Sequence, residues 1–315
     1  MMEKCSNITE NVFYISAFSI SETGQCILFT AVLLVYLMTV FGNMTIAVLV
    51  CLVPQLHTPM YFFLSNLAIS DVMYVSVTLP KLLSILLTQD HWISFSACMT
   101  QVYFFSLSAA SDLFLLTSMA YDRYVAICKP LQYSLLMSKD VCISLALSPW
   151  LISLTNAIAN VLAASLLSFC LTQNVDHFFC DQKALYAITS SDVKGRYILM
   201  LCQDVVLASI PFFLIMTSYV FIISTILKIR SSEGRLKAYS SFTSHLTTVM
   251  LFYVPIIIIY GKPESEGSKE LDKLLTLLYT AVVPMLNPFV YSLRNKDILN
   301  AMKNIKRKWN MIPIK

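Results

Sequence analysis

Seven long apolar segments constrain the fold of this chain more than any other feature. A bilayer core about 30 Å thick is spanned by a helix of roughly 20 apolar residues. Hydrocarbon offers no hydrogen-bond partners, so such segments must be helices or strands of a closed barrel. The segments are roughly 26–53, 59–87, 98–124, 141–168, 197–227, 238–260 and 271–293. Their length predicts an all-α membrane protein: one seven-transmembrane helix bundle, with residues 1–25 before it and the tail 294–315 after it.

Composition excludes several classes of function. The chain is 57% hydrophobic and only 13% charged, whereas soluble domains are about 25% charged. Its nine cysteines form no Cys-x-x-Cys pair, and its four histidines form no His-Glu-x-x-His motif. We therefore expect no enzyme, no resident metal and no nucleic-acid partner. A channel or transporter is the rival of a different class, but we see neither internal repeats nor pore-lining polar periodicity.

The distribution of lysine and arginine predicts the orientation. One set of connectors, with Arg123 at a helix end, holds 14 of these residues and the other set holds 7. The positive-inside rule then puts the amino terminus outside and the basic tail in the cytoplasm. The glycosylation sequon at Asn7 falls on the same outer side. The broken apolar patch 12–20 has no obvious cleavage site, so we expect no cleaved signal peptide.

Two cysteines lie on the predicted oxidising side. Cys98 starts the third span and Cys180 lies in the second outer loop. A disulfide between them would fix that loop over the bundle. The alternative is two unrelated cysteines.

A charged triplet, Asp122-Arg123-Tyr124, ends the third span. A charged pair beside hydrocarbon is expensive, so it should lie at the membrane boundary or face the protein interior. The charge count puts it at the cytoplasmic end. Such a pair suggests a switch; the alternative is a plain boundary pair.

Five blocks of sequence together resemble one family, the olfactory receptors, a branch of the rhodopsin-like G-protein-coupled receptors. The last block resembles the tetrapod-type branch. The blocks are LHTPMYFFLSNLAISD at 56–71, MAYDRYVAIC at 119–128, Ser218-Tyr219, KAYSSFTSHL at 237–246 and PMLNPFVYSLRNK at 284–296.

The resemblance implies a switch at the cytoplasmic end. In related receptors the arginine is restrained at rest and released on activation, which opens a cleft for a G protein. A proline in the seventh helix removes a backbone hydrogen bond and permits a hinge. The residues expected to couple to the G protein or to switch are Asp122, Arg123, Tyr124, Tyr219, His245, Asn287, Pro288 and Tyr291.

Two acids, Asp71 and Asp112, lie inside predicted spans. Buried carboxylates near one another need a cation, a shared proton or hydrogen-bond partners such as Asn43. Related receptors hold a sodium ion around the position of Asp71. We expect an ion or proton site and no other cofactor; the alternative is a neutral hydrogen-bonded pair.

The ligand pocket is expected in the outer half of the bundle, chiefly apolar with a few polar points. No acid stands near Phe105, which argues against an amine ligand, and no lysine lies near Thr280, which excludes a retinal Schiff base. Each candidate could instead be a packing residue. The candidates are Phe105, Ser106, Ala109, Gln203, Asp204, Leu207, Tyr253, Ile256, Ile257, Tyr260, Leu277 and Thr280.

The chain departs from the family pattern at a few positions. Ser240-Ser241-Phe242 replaces the usual Ser-Thr-Cys, and Asp112 replaces a glutamate. Ser190 stands where a third loop cysteine is usual, which leaves Cys170 without its expected partner. Pro255 lies in the sixth span, where many of these receptors lack proline. None of these changes removes a residue that the mechanism needs.

The resemblance predicts an odorant receptor that binds a small, mostly apolar molecule and activates a stimulatory, olfactory-type heterotrimeric G protein, which signals through cAMP. We expect it in the plasma membrane, in the cilia of olfactory neurons. A same-fold receptor for a non-odour metabolite is the nearer alternative. The basic stretches 228–237 and 296–308 would attract anionic lipids, and residues 294–308 are expected to form a short amphipathic helix.

Overall fold

The computed structural model describes residues 12–167, 169, 173–189, 193–260, 269–294, 298 and 300. Within them lie seven long helices, so the predicted seven-helix bundle is confirmed. Asn7, Cys170 and almost all of the predicted tail helix at 294–308 lie outside the described residues. The helices are α1 (Glu22–Leu52), α2 (Pro59–Thr88), α3 (Phe95–Cys128), α4 (Lys139–Ser165), α5 (Lys194–Lys228), α6 (Ser232–Tyr260) and α7 (Lys269–Leu277, Leu278–Val282 and Val283–Arg294).

Local sequence signals start the first three helices. The Ser21 hydroxyl accepts a hydrogen bond from the Gly24 amide at 3.3 Å, and Ser94 accepts one from the Ala97 amide at 3.2 Å. A serine in this position satisfies one of the amides that the first turn leaves unpaired. Pro59 opens α2, where its missing N–H costs nothing. These caps place the helix starts within a few residues of the predicted spans.

Helix α3 occupies the centre of the bundle. It packs against α2, α4, α5 and α6, while α1 packs against α2 and α7. Among the membrane-length helices of the described chain, α3 also has the most buried apolar stretch. Residues on α3 therefore reach most of the other helices, which is why the predicted switch, ion site and ligand pocket all depend on this helix.

Helix α6 begins before the predicted sixth span, 238–260. It runs from Ser232 to Tyr260, and among its described side chains His245–Ile258 forms an apolar stretch. The six other long helices have apolar stretches that are long enough to cross a membrane. The first turns of α6 carry Glu233 and Arg235, so this part of the helix suits the polar side of a membrane boundary.

Helix α7 changes its winding in the middle. Residues Leu278–Val282 form a π-helical turn between two α-helical parts. The Thr280 hydroxyl donates to the carbonyl oxygens of Thr276 and Leu277, at 2.8 and 3.3 Å. These bonds partly satisfy the backbone groups that the irregular winding leaves unpaired. Single π-helical turns often lie at functional sites.

A small three-stranded sheet covers the end of the bundle that bears Cys98 and Cys180, here called the disulfide end. Strand β1 (Val12–Ile15) lies between β2 (Trp92–Ser94), antiparallel to it, and β3 (Asn174–Val175), parallel to it. Alternate residues of β1 face inward, and Phe13 and Ile15 are buried. From the sequence, only a broken apolar patch was predicted here, and the sheet was not.

Lys273 on α7 joins three segments at the disulfide end. Its ammonium donates to the Ser16 carbonyl at 3.2 Å and pairs with Glu270 at 2.9 Å and with Asp176 at 2.5 Å. The lysine itself is buried. A buried charge needs such partners, so Lys273 ties the segment after β1 and the loop around β3 to α7.

We predict that Gly42→Val destabilises the receptor. A Cβ atom at Gly42 on α1 would lie 3.2 Å from Cγ and 3.3 Å from Cβ of Pro288 on α7. The larger side chain would force these helices apart, at a cost of about 1–3 kcal/mol. Thermal unfolding of the purified receptor should therefore show a lower Tm.

Gly195→Ala is the control, because nothing lies within 4 Å of a Cβ built there. Its Tm should be unchanged or slightly raised, since alanine favours a helix over glycine. An unchanged Tm for Gly42→Val would contradict the close approach of α1 and α7.

Candidate functional site

The Asp122 carboxylate organises the end of α3, here called the Arg123 end. It is fully buried and accepts a hydrogen bond from Arg123 Nε at 3.0 Å, as well as one from Arg123 Nη2. The hydroxyl of Tyr133, in the short helix Tyr133–Leu136 that follows α3, donates to the other carboxylate oxygen at 2.7 Å. Burial and this bond to Asp122 both raise the pKa of Tyr133. The structure therefore holds the predicted switch pair in a closed arrangement.

The role of Tyr133 is absent from the sequence predictions. It lies in a connector 11 positions after Asp122, and no periodicity links the two residues. Its neighbours Leu131 and Leu135 are exposed. Only the return of the chain against α3 brings the tyrosine to the carboxylate.

A second polar contact joins α5 to α6 near the Arg123 end. The Tyr219 hydroxyl and His245 Nδ1 lie 2.9 Å apart, and both residues are buried. The Tyr219 ring also meets Phe242 edge-on, with ring centroids 4.9 Å apart. Tyr124 packs near Phe221 of α5, at 5.9 Å between ring centroids. The Tyr291 side chain, expected to approach Tyr219, lies outside the described residues.

Asp71 and Asp112 are both buried between α2, α3 and α7. Asn287 Nδ2 donates to Asp71 Oδ2 at 2.9 Å, which brings part of the Asn287-Pro288 motif to the predicted ion site. Two acceptors, Asp112 Oδ1 and Asn287 Oδ1, are buried with no hydrogen-bond partner among the described residues. Like charges on the two carboxylates repel each other. These acceptors suit a hard cation or a proton.

Asn43 does not fill the role suggested for it. Its side-chain amide donates to the Pro284 carbonyl at 3.0 Å and to the Thr39 carbonyl at 3.1 Å. Proline at position 288 cannot donate to the Pro284 carbonyl four residues earlier. Asn43 therefore satisfies that carbonyl, and Asn287 is the partner of Asp71.

The predicted ligand face of α3 is packed by aromatic rings and a polar side chain. Phe105 stacks on Tyr74 at 5.2 Å and meets Phe179, in the loop that bears Cys180, at 4.9 Å between ring centroids. Ser106 Oγ accepts a hydrogen bond from Asn160 Nδ2 on α4 at 3.2 Å. Ala109 is partly buried on the same helix.

The predicted face of α5 joins the same polar contacts. Gln203 Nε2 donates to Asn156 Oδ1 at 2.6 Å and to Asn160 Oδ1 at 3.4 Å. Neither asparagine was among the predicted site residues, although two amides inside one apolar span were a usable signal. Asp204 and Leu207 are partly buried beside Gln203.

The predicted face of α6 needs one correction. Tyr253 is buried and donates to the Ala208 carbonyl at 3.4 Å, and Ile256 is partly buried. Ile257, however, is 57% exposed. At about 100° per residue it lies at the edge of the buried stripe through Val249 and Tyr253. The Tyr260 side chain lies outside the described residues, while Leu277 and Thr280 of α7 are buried.

A cleft of about 630 Å³ lies between α6 and α7. Its lining residues lie between 246 and 258 on α6 and between 275 and 286 on α7, and none is a predicted ligand contact. This cleft was not predictable from the sequence, because the π-helical turn beside it has no recognised sequence signature.

The disulfide between Cys98 and Cys180 is present, as predicted, with the two Cα atoms 5.4 Å apart. Gln101 strengthens this junction: its carbonyl oxygen accepts from the Cys180 amide at 3.0 Å, and its amide donates to the Val77 carbonyl at 3.1 Å. The loop that bears Cys180 is thereby fixed to both α2 and α3.

His177 lies in this loop, partly buried between Phe178 and Phe179, with ring centroids 4.6 and 4.7 Å away. Burial lowers the pKa of His177. Lys273 acts in the same direction, and the carboxylates of Asp181 and Asp176 oppose it. The loop therefore favours a neutral imidazole.

The described residues contain no group of three or more His, Cys, Asp or Glu side chains placed to hold a metal ion. What they contain is a bundle of seven helices with a closed acid–arginine pair at one end and a disulfide-fixed loop at the other. This arrangement defines a membrane receptor of the seven-helix class.

The chain belongs to the olfactory receptor family. The sequence profile of that family, described as olfactory receptor, matches residues 32–308. Olfactory receptor 1J21 of Mus musculus is 44% identical over 302 residues, which cover 96% of this chain and 97% of the relative. Olfactory receptor 1J4 of Homo sapiens is 43% identical, with 96% of each chain covered. Olfactory receptor 1 of Rattus norvegicus is 44% identical, over 94% of this chain and 95% of its own length.

We predict that His177→Phe makes the receptor less sensitive to acid. The folded chain disfavours protonated His177, whereas the unfolded chain protonates it near its ordinary pKa of 6.5. The contribution of neutral His177 to the free energy of unfolding is therefore fully present above that pH. It is lost as the pH falls toward the lowered pKa of the folded state. The wild-type Tm should fall more than the Tm of His177→Phe between neutral and mildly acidic buffer.

His57→Gln is the control, because His57 is exposed. It should keep the wild-type acid sensitivity. Equal pH dependence in all three proteins would show that His177 carries no such penalty.

Proposed function

We propose that this receptor binds a small, chiefly apolar odorant within the bundle and activates a stimulatory, olfactory-type heterotrimeric G protein, which raises cAMP. The observation that carries the proposal is the buried Asp122 carboxylate, bonded to both Arg123 and Tyr133. A buried charge pair held by a neutral hydroxyl can exist in two arrangements, closed or separated, and a bound partner can select one of them.

Odorant binding would act on α5 and α6. The polar contacts of Ser106 and Gln203 join α3, α4 and α5 near the predicted ligand face. Tyr219 and His245 join α5 to α6 nearer the Arg123 end. A ligand that shifts α5 or α6 would strain the Tyr219–His245 contact and favour release of Arg123 toward a G protein. The chain itself performs no covalent chemistry in this proposal.

The charge distribution supports an orientation with the disulfide end outside the cell. The Arg123 end would then face the cytoplasm, where the G protein and anionic lipids lie. We assign the receptor to the plasma membrane of olfactory cilia, with glycosylation at Asn7 on the outer side.

Wild-type receptor should raise cAMP in a reporter cell for at least one member of a chemically diverse odorant panel. Arg123→Ala, present at the surface in equal amount, should not respond; an equal response from it would contradict the assigned role.

We predict that Tyr133→Phe raises basal signalling. Removing this hydroxyl deletes one bond to Asp122, worth about 1 kcal/mol, and leaves the ring in place. A change of that size alters the ratio of the two arrangements by about five-fold. The reporter should therefore show several-fold higher cAMP without an odorant, at matched surface expression.

Tyr121→Phe is the matched control, since Tyr121 lies at nearly the same depth and its ring packs against Tyr124. Its basal signal should equal that of the wild type. Basal activity of Tyr133→Phe at or below the wild-type level would contradict the closed arrangement proposed here.

We infer that a sodium ion or a shared proton resides at Asp71 and Asp112. Support comes from the two unpartnered acceptors, Asp112 Oδ1 and Asn287 Oδ1. A bound cation would offset the charge of the two acids and hold α2, α3 and α7 together; the protein's part is to orient these oxygens and exclude water.

We predict that sodium chloride, compared with the same concentration of choline chloride, raises the Tm of the purified wild-type receptor. Ligand binding to the folded state alone raises stability by mass action. Asp71→Asn should abolish the difference in Tm between the two salts. Asp204→Asn should keep that difference, because Asp204 lies on α5, away from Asp71 and Asp112. Equal Tm values in both salts for the wild type would exclude sodium and leave a shared proton.

A further inference from the structure

The cleft between α6 and α7 opens on the face of the bundle that meets the membrane. Side chains at its rim are strongly exposed: Met250 is 49% exposed, Ile258 47% and Leu278 48%. Leu278 lies in an apolar helix long enough to cross a membrane, and Met250 and Ile258 lie in the apolar stretch His245–Ile258 of α6. Molecules that reach this cleft must therefore come from the bilayer.

Irregular winding on both walls forms the cleft. On α6, Pro255 lines it and cannot donate to the Leu251 carbonyl. On α7, the π-helical turn Leu278–Val282 contributes three of its five residues to the lining. Such irregularities are costly inside a membrane, where freed backbone groups need partners. Two of them facing each other indicate a site with a function.

The chemistry of the lining selects an uncharged hydrocarbon. Only two of the lining side chains carry a polar atom, and both of these atoms are already bonded. The Thr247 hydroxyl donates to the Thr243 carbonyl at 2.8 Å, and the Tyr279 hydroxyl accepts from Tyr74 at 2.9 Å. The cleft therefore offers apolar surface and little else, and a charged or strongly polar molecule would lose its hydration there without compensation.

Tyr279 connects the cleft to the predicted ligand face. Its hydroxyl bonds to Tyr74, and the Tyr74 ring stacks on Phe105 at 5.2 Å. By contrast, the disulfide end is closed over Phe105. Phe178 and Phe179 are fully buried there, and β1 pairs with both neighbouring strands above them.

We propose that the cleft is a binding site for small, uncharged aliphatic molecules dissolved in the bilayer, and that it leads through Tyr279 toward Phe105. The inference rests on the proposed function for the identity of its natural occupant as an odorant. The finite size of the cleft and its contact with Tyr279 favour a small molecule over the acyl chain of a bilayer lipid.

Photolabelling with a medium-chain aliphatic diazirine tests the site without any G protein. The purified receptor, in phosphatidylcholine vesicles, is illuminated with increasing probe, with and without an excess of an unlabelled medium-chain alcohol. We expect saturable labelling of peptides 246–258 and 275–286, and we expect the alcohol to suppress it. Exposed α5 residues such as Phe213 should be labelled in simple proportion to the probe.

Two variants test whether the saturable labelling occurs at the cleft. Val254→Trp places a large ring at the cleft and should lower the saturable labelling several-fold. Val220→Trp, at a position on α5 that is 64% exposed, adds the same ring to a different membrane-facing surface and should leave labelling unchanged. A folded Val254→Trp receptor is recognised by an unchanged Tm; if it is destabilised, Met250→Phe takes its place.

Labelling of α6 and α7 that rises in proportion to the probe, as on α5, would overturn the proposal. So would labelling by a photoreactive phosphatidylcholine that the alcohol cannot displace, since the cleft would then belong to a lipid. Failure of the odorant panel to raise cAMP would contradict the proposed function but would leave saturable labelling intact. The two failures are therefore distinguishable.

Discussion

Hydrocarbon offers no hydrogen-bond partners, and the arrangement of this bundle depends on that constraint. Polar side chains inside the spans bond across helices: Asn43 to the Pro284 carbonyl, Asn287 to Asp71 and Trp150 to Asn66, at 3.0, 2.9 and 3.1 Å. Each bond fixes which two helices are neighbours and at what height. Apolar packing alone would specify this weakly, because lipid chains are as apolar as leucine.

The two ends of the bundle differ in how firmly they are held. The disulfide end combines a covalent bridge, a three-stranded sheet and the buried ammonium of Lys273. The polar contacts described at the Arg123 end are single hydrogen bonds or one charge pair, such as Tyr219 with His245. Single bonds of about 1 kcal/mol can be exchanged for contacts with a partner. The difference fits the proposed orientation, in which the disulfide end lies outside the cell and stays fixed while the Arg123 end rearranges.

Much of the fold could be predicted from the sequence, because apolar length and the serine caps act locally. The Asp122-Arg123 site was also predictable, since a charged pair at the end of an apolar run has few tolerable locations. Tyr133, Asn156 and Asn160 were not identified, because their roles depend on which helices become neighbours. Ile257 was placed on the wrong part of its helix, since four-residue spacing drifts to the edge of the buried stripe. Strand β1 and the π-helical turn depend on tertiary partners and have no clear local signal.

In the proposed mechanism this structure is the closed form, in which α6 lies against α3 and α5 at the Arg123 end. Spin labels on cysteines introduced at Leu236 of α6 and Ile143 of α4, both exposed, would report this separation, with the exposed native cysteines replaced. Electron–electron distance measurements should show one short distance for the receptor alone. A longer distance should appear when a nucleotide-free stimulatory G protein is bound. An unchanged distance with the G protein bound would contradict the account.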